Sequence, residues 1–211
     1  MSLIYKFFYI GIASSIFPIS MGLLNWQYLE KPSKILLASL ILGLVQATIT
    51  IFILDEDQSS EWVVDLYMII DILFMFWFYY SAVVHKRFRQ ILTVGTILMI
   101  ILFFISTKFD TTINFFPSFQ SFIFNATALF FFNYLLNKNT NESLTHKPLF
   151  WINTGFLLNS IVLVSRIYSG ALAEESFKYY EQLYIFFYLV GILSNCLFGI
   201  GFIKSKQYKI A

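Results

Sequence analysis

The chain has 211 residues, 58% of them hydrophobic, 20% aromatic and only 12% charged, with a formal net charge of +2 at neutral pH. A soluble domain carries roughly 25% charged residues, so this composition excludes an ordinary water-soluble globule and names the lipid bilayer, not nucleic acid, as the chain's main partner. One cysteine, Cys196, and two histidines, His85 and His146, are too few for a disulfide framework or a zinc site of several protein ligands, so no metal or cofactor is expected.

A spanning helix requires about 20 mostly apolar residues, and seven runs approach that length between polar clusters. The first, residues 4–24, has a solitary Lys6 near its start and lacks the basic n-region and small-residue cleavage site of a secretory signal, so it reads as a retained helix. Pro18 lies inside it and predicts a kink. Trp26 and Tyr28 come next, amphipathic rings of the kind that settle at a headgroup layer. The second run, 35–54, is introduced by Lys31-Pro32, where a proline loses no helical hydrogen bond.

The third run, 62–83, opens on Trp62, carries Asp65 and Asp71, and ends before the cluster His85-Lys86-Arg87-Phe88-Arg89. The fourth, 90–107, is the shortest and holds no charge; the fifth, 115–136, holds Asn125. An asparagine-rich connection with a glycosylation sequon at Asn141 leads to Lys147-Pro148 and the sixth run, 148–169, which contains Asn153, Asn159 and Arg166. The seventh, 180–203, contains Asn195 and is followed by Lys204, Lys206 and Lys209.

Loop charge orients these spans, because cytoplasmic connections collect lysine and arginine. The connections between runs 1–2, 3–4 and 5–6, with the tail, hold Lys31, Lys34, Lys86, Arg87, Arg89, Lys138, Lys147, Lys204, Lys206 and Lys209, against only Glu30 and Glu142. The opposite set holds Asp55, Glu56, Asp57, Glu61, Asp110, Glu174, Glu175 and Glu181, against Lys6, Lys108 and Lys178. This division fits an all-α membrane protein of seven transmembrane helices in one domain, N-terminus out and C-terminus in, in the cytoplasmic (inner) membrane. Removing the fourth span would put the Lys86–Arg89 cluster on the side of later acidic loops. The sequon at Asn141 then faces the cytoplasm, where it is not glycosylated.

An internal repeat is also indicated. Lys31-Pro32 and Lys147-Pro148 open the second and sixth spans, Leu66-Tyr67 and Leu183-Tyr184 occupy similar offsets in the third and seventh, and both of those spans end in basic clusters. The pattern predicts a three-plus-one-plus-three plan, although spans 1 and 5 do not align by their prolines.

Ionisable groups within spans are costly and are functional candidates by default. Asp71 falls about 13 Å below Trp62 at 1.5 Å per residue, near mid-membrane. Gln46, Asn125 and Asn159 fall at comparable depth, and Arg166 shares a face with Asn159 seven residues away. We therefore expect an outward-opening polar cavity lined by Asp71, Gln46, Asn125, Asn159 and Arg166, and an ion pair between Asp65 and Arg166. The asparagines serve equally well as hydrogen-bond glue between helices. Lys86, Arg87, Arg89, Lys204 and Lys206 are expected to meet a cytoplasmic partner or anionic lipid.

Membrane enzymes and pigments leave signatures that this chain does not carry. A retinal Schiff base requires a lysine inside a span, whereas Lys178 and Lys204 flank the seventh; a seven-helix metal hydrolase requires clustered histidines, and a membrane serine protease a Ser–His pair at depth. No catalytic residue is assigned, and the chain is not expected to be an enzyme.

Several segments together resemble a family of small uncharacterised bacterial seven-transmembrane-helix proteins: Phe17-Pro18-Ile19-Ser20, His85-Lys86, the run Lys147-Pro-Leu-Phe-Trp-Ile-Asn-Thr-Gly155, and Asn195 followed by Phe198-Gly-Ile-Gly-Phe202. Such proteins have no assigned activity, although some accompany sensor histidine kinases, so what the resemblance implies is no more than a lean toward a sensory role. The basic inner face, with no connection long enough for an output domain, leads us to expect a receptor-like or sensory subunit that binds a small or lipophilic ligand and couples to a cytoplasmic signalling partner. A small-solute transporter or channel using Asp71 as its coupling site is the second expectation.

Overall fold

The computed structural model describes residues 3–55, 61–108, 115–137, 143–172 and 177–210. Among them there is no strand. The helices are α1 (Leu3–Ser14), α2 (Ile16–Leu24), α3 (Lys31–Asp55), α4 (Glu61–Ala82), α5 (Lys86–Lys108), α6 (Phe115–Asn137), α7 (Pro148–Leu172) and α8 (Phe177–Ile210), with short 3-10 turns at Trp26–Tyr28 and Leu144–His146. Helix is the open-ended structure that pairs its backbone groups internally, as hydrocarbon surroundings demand.

Five of these helical stretches are long and apolar enough to cross a membrane: Lys6–Leu24, Lys31–Ile51, Lys86–Ile105, Phe119–Asn137 and Gln182–Ile210. Leu66–Ala82 is a shorter apolar helix. Their outer faces stay apolar, as on α5, where Ile91, Val94, Ile97, Leu98, Ile101 and Phe104 are all exposed.

α1 and α2 form one broken rod, and the break at Ser15 has a definite cause. Pro18 has no N–H to return to the carbonyl of Ser14, and the chain tightens there: the Ser15 N–H donates to the Ile12 carbonyl at 3.1 Å. The Ser14 and Ser15 hydroxyls donate to the carbonyls of Gly11 and Ile12, both at 2.6 Å.

Consecutive helices pack on one another from α2 to α8, and α8 closes the set by packing on both α1 and α2. The α7–α8 contact is the most extensive, because glycines let it close: a Cβ on Gly155 would lie 3.1 Å from the Ser194 carbonyl, and one on Gly201 would lie 3.2 Å from that of Pro148. The core between the helices is aromatic. Phe156 of α7 packs on Phe78 of α4 at 4.9 Å between ring centres and on Phe198 of α8 at 5.1 Å, while Tyr79 packs on Phe131 of α6 at 5.5 Å.

Helices extend beyond the expected apolar runs at several ends; α3, for one, begins at Lys31 and not at residue 35. α5 begins at Lys86, not at residue 90, so Lys86, Arg87 and Arg89 form its first turn. α8 runs to Ile210, so Lys204, Lys206 and Lys209 ride on a helix that continues past the apolar run instead of in a loose tail. Hydropathy sees only the apolar stretch, whereas a helix continues into the headgroup layer wherever lysine and glutamine, both good helix formers, follow it.

Candidate functional site

A cavity of about 320 Å³ lies between α1, α3, α4, α7 and α8. Its walls are built on helical spacing. α3 contributes Leu36, Ser39, Leu40, Gly43, Leu44 and Ala47, one stripe at intervals of three and four, and α8 contributes Gly191, Ser194, Asn195 and Phe198 in the same rhythm. The small members of both stripes, Ser39, Gly43, Ala47, Gly191 and Ser194, project little into the space and so leave room. α4 places Tyr67 and Asp71 one turn apart, α7 supplies Asn159, and rings of Phe8, Phe156, Phe187, Tyr188 and Phe198 complete the wall.

Asp71 and Asn159, both expected at the site, do line this cavity. Oδ2 of Asp71 accepts a long 3.4 Å hydrogen bond from Nε2 of Gln120 on α6. The Tyr67 hydroxyl sits against Gly43, where an added Cβ would meet it at 2.7 Å. The cavity thus combines a carboxylate, neutral amides and hydroxyls, and an aromatic wall, the usual make-up of a small-molecule pocket.

Gln46 and Asn125 do not line it. Gln46 is next to Ala47, but its Nε2 donates along α3 to Thr50 Oγ1 at 3.0 Å. Asn125 ties α6 to α7: its Oδ1 accepts from the Ser160 hydroxyl at 2.9 Å, and its Nδ2 donates to the Ser121 carbonyl at 3.0 Å. That is the glue role. Similar depth was legible for both residues, but depth does not fix the direction around a helix. The side chains of Asp65 and Arg166 lie outside the described residues, and their expected ion pair with them.

Sequence reasoning passed over Tyr67, Ser15, Ser39 and Ser194, and it noted Asn195 without assigning it to the site. The α3 and α8 stripes were the available signal. Asn195 Nδ2 donates to the Ser14 hydroxyl at 2.8 Å, joining α8 to the broken point of the first rod at the cavity's edge. Among the described residues no cluster of three or more His, Cys, Asp or Glu side chains is placed to hold a metal.

The basic residues expected to meet a partner or lipid differ in their surroundings. Lys86 and Arg87 are exposed. Arg89 is engaged: its Nε donates to the Val83 carbonyl at 2.7 Å, and its guanidinium lies 4.7 Å from the centre of the Tyr80 ring. Lys34 lies over Trp26 at 4.8 Å and Lys206 over Tyr28 at 5.9 Å, while Lys204 is half-buried. A second, smaller space of about 130 Å³ between α4, α5 and α6 is lined almost wholly by apolar side chains around Gly95.

Comparison with protein-family models, curated proteins and solved structures finds no match to the chain.

Proposed function

We propose that the chain is a receptor-like, sensory subunit of the cytoplasmic membrane, spanning it seven times with its N-terminus outside. It binds a small or lipophilic ligand in the cavity around Asp71 and passes a helix displacement to a cytoplasmic partner. The observation that carries this reading is the continuity of α8, which is helical without a break from Phe177 to Ile210. One part of that helix lines the cavity through Gly191, Ser194 and Asn195, and its far end carries Lys204, Lys206 and Lys209. Thirteen residues of helix separate Gly191 from Lys204, roughly 20 Å at 1.5 Å per residue. A shift at the cavity therefore reaches the basic end through a rigid rod. The resemblance to small seven-helix bacterial proteins, some of which accompany sensor histidine kinases, adds a little to this reading, and the charge division between alternate connections supports the orientation.

The experiment is gentle extraction from native membranes followed by mass spectrometry of the proteins and small molecules that come with the chain. A stoichiometric cytoplasmic partner, lost when Lys86 and Arg87 are neutralised, is the expected result. A solitary protein overturns the sensory reading. The topology has its own test: fluorescent protein fused after Ala211 is expected to fluoresce, and alkaline phosphatase inserted in the α3–α4 connection to be active. The reverse pattern overturns it.

A second reading rests on Asp71 itself, a carboxylate in a cavity between helices. As the coupling site of a proton- or cation-linked carrier it would make uptake into vesicles pH-dependent, and Asp71→Asn would remove that dependence. Flux unchanged by the substitution would end the carrier reading.

A further inference from the structure

We propose that the cavity selects a small organic cation, a primary or substituted ammonium, with its nitrogen on the Asp71 carboxylate and its apolar body against the aromatic wall. The inference rests on the reading that this cavity holds a ligand and deepens it by naming the ligand's charge.

Three observations converge. Asp71 supplies a carboxylate to the cavity, and among the described residues no lysine, arginine or histidine lines it. A negative group at this depth favours a positive counterpart, and the described hydrogen bond to it comes from a neutral amide, Gln120, at 3.4 Å. The wall carries the rings of Phe8, Phe156, Phe187, Tyr188 and Phe198. Aromatic faces attract ammonium groups by their negative quadrupole and hold hydrocarbon equally well, so carboxylate and rings together suit an amine better than an acid or a sugar.

Size then separates an organic cation from a metal ion. The volume of about 320 Å³ lies at the lower end of the roughly 300–1,000 Å³ occupied by small-molecule sites. A calcium or magnesium ion instead needs six or more oxygens closing to about 2.0–2.6 Å. Among the described residues no acidic cluster provides such a cage. Asn159 and the Tyr67 hydroxyl offer neutral hydrogen-bonding groups for the remainder of a small amine.

The test uses the full chain in lipid nanodiscs and three probes of nearly equal shape: 2-phenylethylammonium, 2-phenylethanol and phenylacetate, carrying positive, zero and negative charge. Calorimetry is expected to show the ammonium binding at least tenfold more tightly than the alcohol, with phenylacetate weakest. Asp71→Asn is expected to abolish the preference for the ammonium over the alcohol. Gly191→Leu, at a cavity position where an added Cβ meets nothing within 4 Å, is expected to remove the binding of both by filling the space.

Equal or tighter binding of the alcohol or phenylacetate by the unaltered protein overturns the cation assignment. So does the absence of binding by all three, or a preference that survives Asp71→Asn. Alcohol binding as tight as that of the ammonium, and lost in Gly191→Leu, would preserve the cavity as a ligand site while refuting the charge assigned here. If Asp71→Asn fails to fold, the charge series on the unaltered protein and Gly191→Leu still decide the matter.

Discussion

The Tyr79 hydroxyl donates a 2.8 Å hydrogen bond to Oδ1 of Asn153, and the Asn153 amide donates in turn to the Ala128 carbonyl at 3.0 Å, so one pair of side chains knots α4, α7 and α6 together. Tyr79 is 1% exposed and Asn153 0%. Rings of Phe131 and Phe156 pack on Tyr79. Where water is excluded, the alternative to each bond is an unsatisfied polar group, which gives the knot its directional value.

Tyr79→Phe is therefore expected to lower stability by about 1 kcal/mol, within the range for buried hydrogen bonds and for interhelical bonds in lipid. Asn153→Leu removes both bonds and should lower it further. The decisive measurement is the double variant, unfolded in mixed micelles: Tyr79→Phe should add little once Asn153 is gone, because the acceptor it served has been removed. Full additivity would show that the two side chains do not act together.

Helix packing makes a second, opposed set of expectations. A Cβ at Gly155 would lie 2.6 Å from Cε1 of Phe198 and 3.1 Å from the Ser194 carbonyl, and one at Gly201 would lie 2.6 Å from Cγ1 of Ile152 and 3.2 Å from the Pro148 carbonyl. The backbone atoms cannot rotate away. Gly155→Ala and Gly201→Ala should each destabilise by about 1–3 kcal/mol, as overpacked sites do. At Gly95 nothing lies within 4 Å, so Gly95→Ala should stabilise by about 0.5–1 kcal/mol through helix propensity. Thermal unfolding of the three variants side by side checks both signs.

The all-helical architecture was legible because long apolar runs mark its helices. The starts at Lys31-Pro32 and Pro148, and the break near Pro18, follow from backbone chemistry that one residue dictates. The site was legible only in part. Asp71 and Asn159 could be paired by depth, but so could Gln46 and Asn125, which face other partners. A hydropathy pattern fixes height along a helix well, whereas rotation about its axis depends on which neighbour each face meets. Tyr67 escaped notice because its place depends on Gly43, a residue of a different helix.

The basic turn of α5 separates into structural and available charges. Arg89 binds the Val83 carbonyl and covers Tyr80, so it anchors the helix start to the end of α4. Arg89→Ala should cost about 1.5–3 kcal/mol, the range for a hydrogen bond to a charged group. Lys86→Ala and Arg87→Ala, at exposed positions, should change stability by less than about 0.5 kcal/mol while weakening co-purification of the proposed cytoplasmic partner. Chemical unfolding and co-purification measured on the same three variants separate the roles. Equal destabilisation at all three positions would refute the division.

The bond from Asn195 to the Ser14 hydroxyl, 2.8 Å long, fastens α8 to the first rod at the point where Pro18 breaks it. Ser14→Ala and Asn195→Ala each remove the same interaction, so each should lower stability by about 0.6–1.5 kcal/mol and the double variant by little more than either. Pro18→Ala tests the cause of the break. It restores the N–H that the Ser14 carbonyl lacks, which should straighten the rod and displace Phe8, Gly11 and Ile12, all cavity-lining residues of α1. Binding of the proposed ammonium probe should then change by more than stability does. A Pro18→Ala protein with unaltered affinity and an unchanged Ser14–Asn195 coupling would show that the kink is set by packing against α8 and not by the missing hydrogen bond.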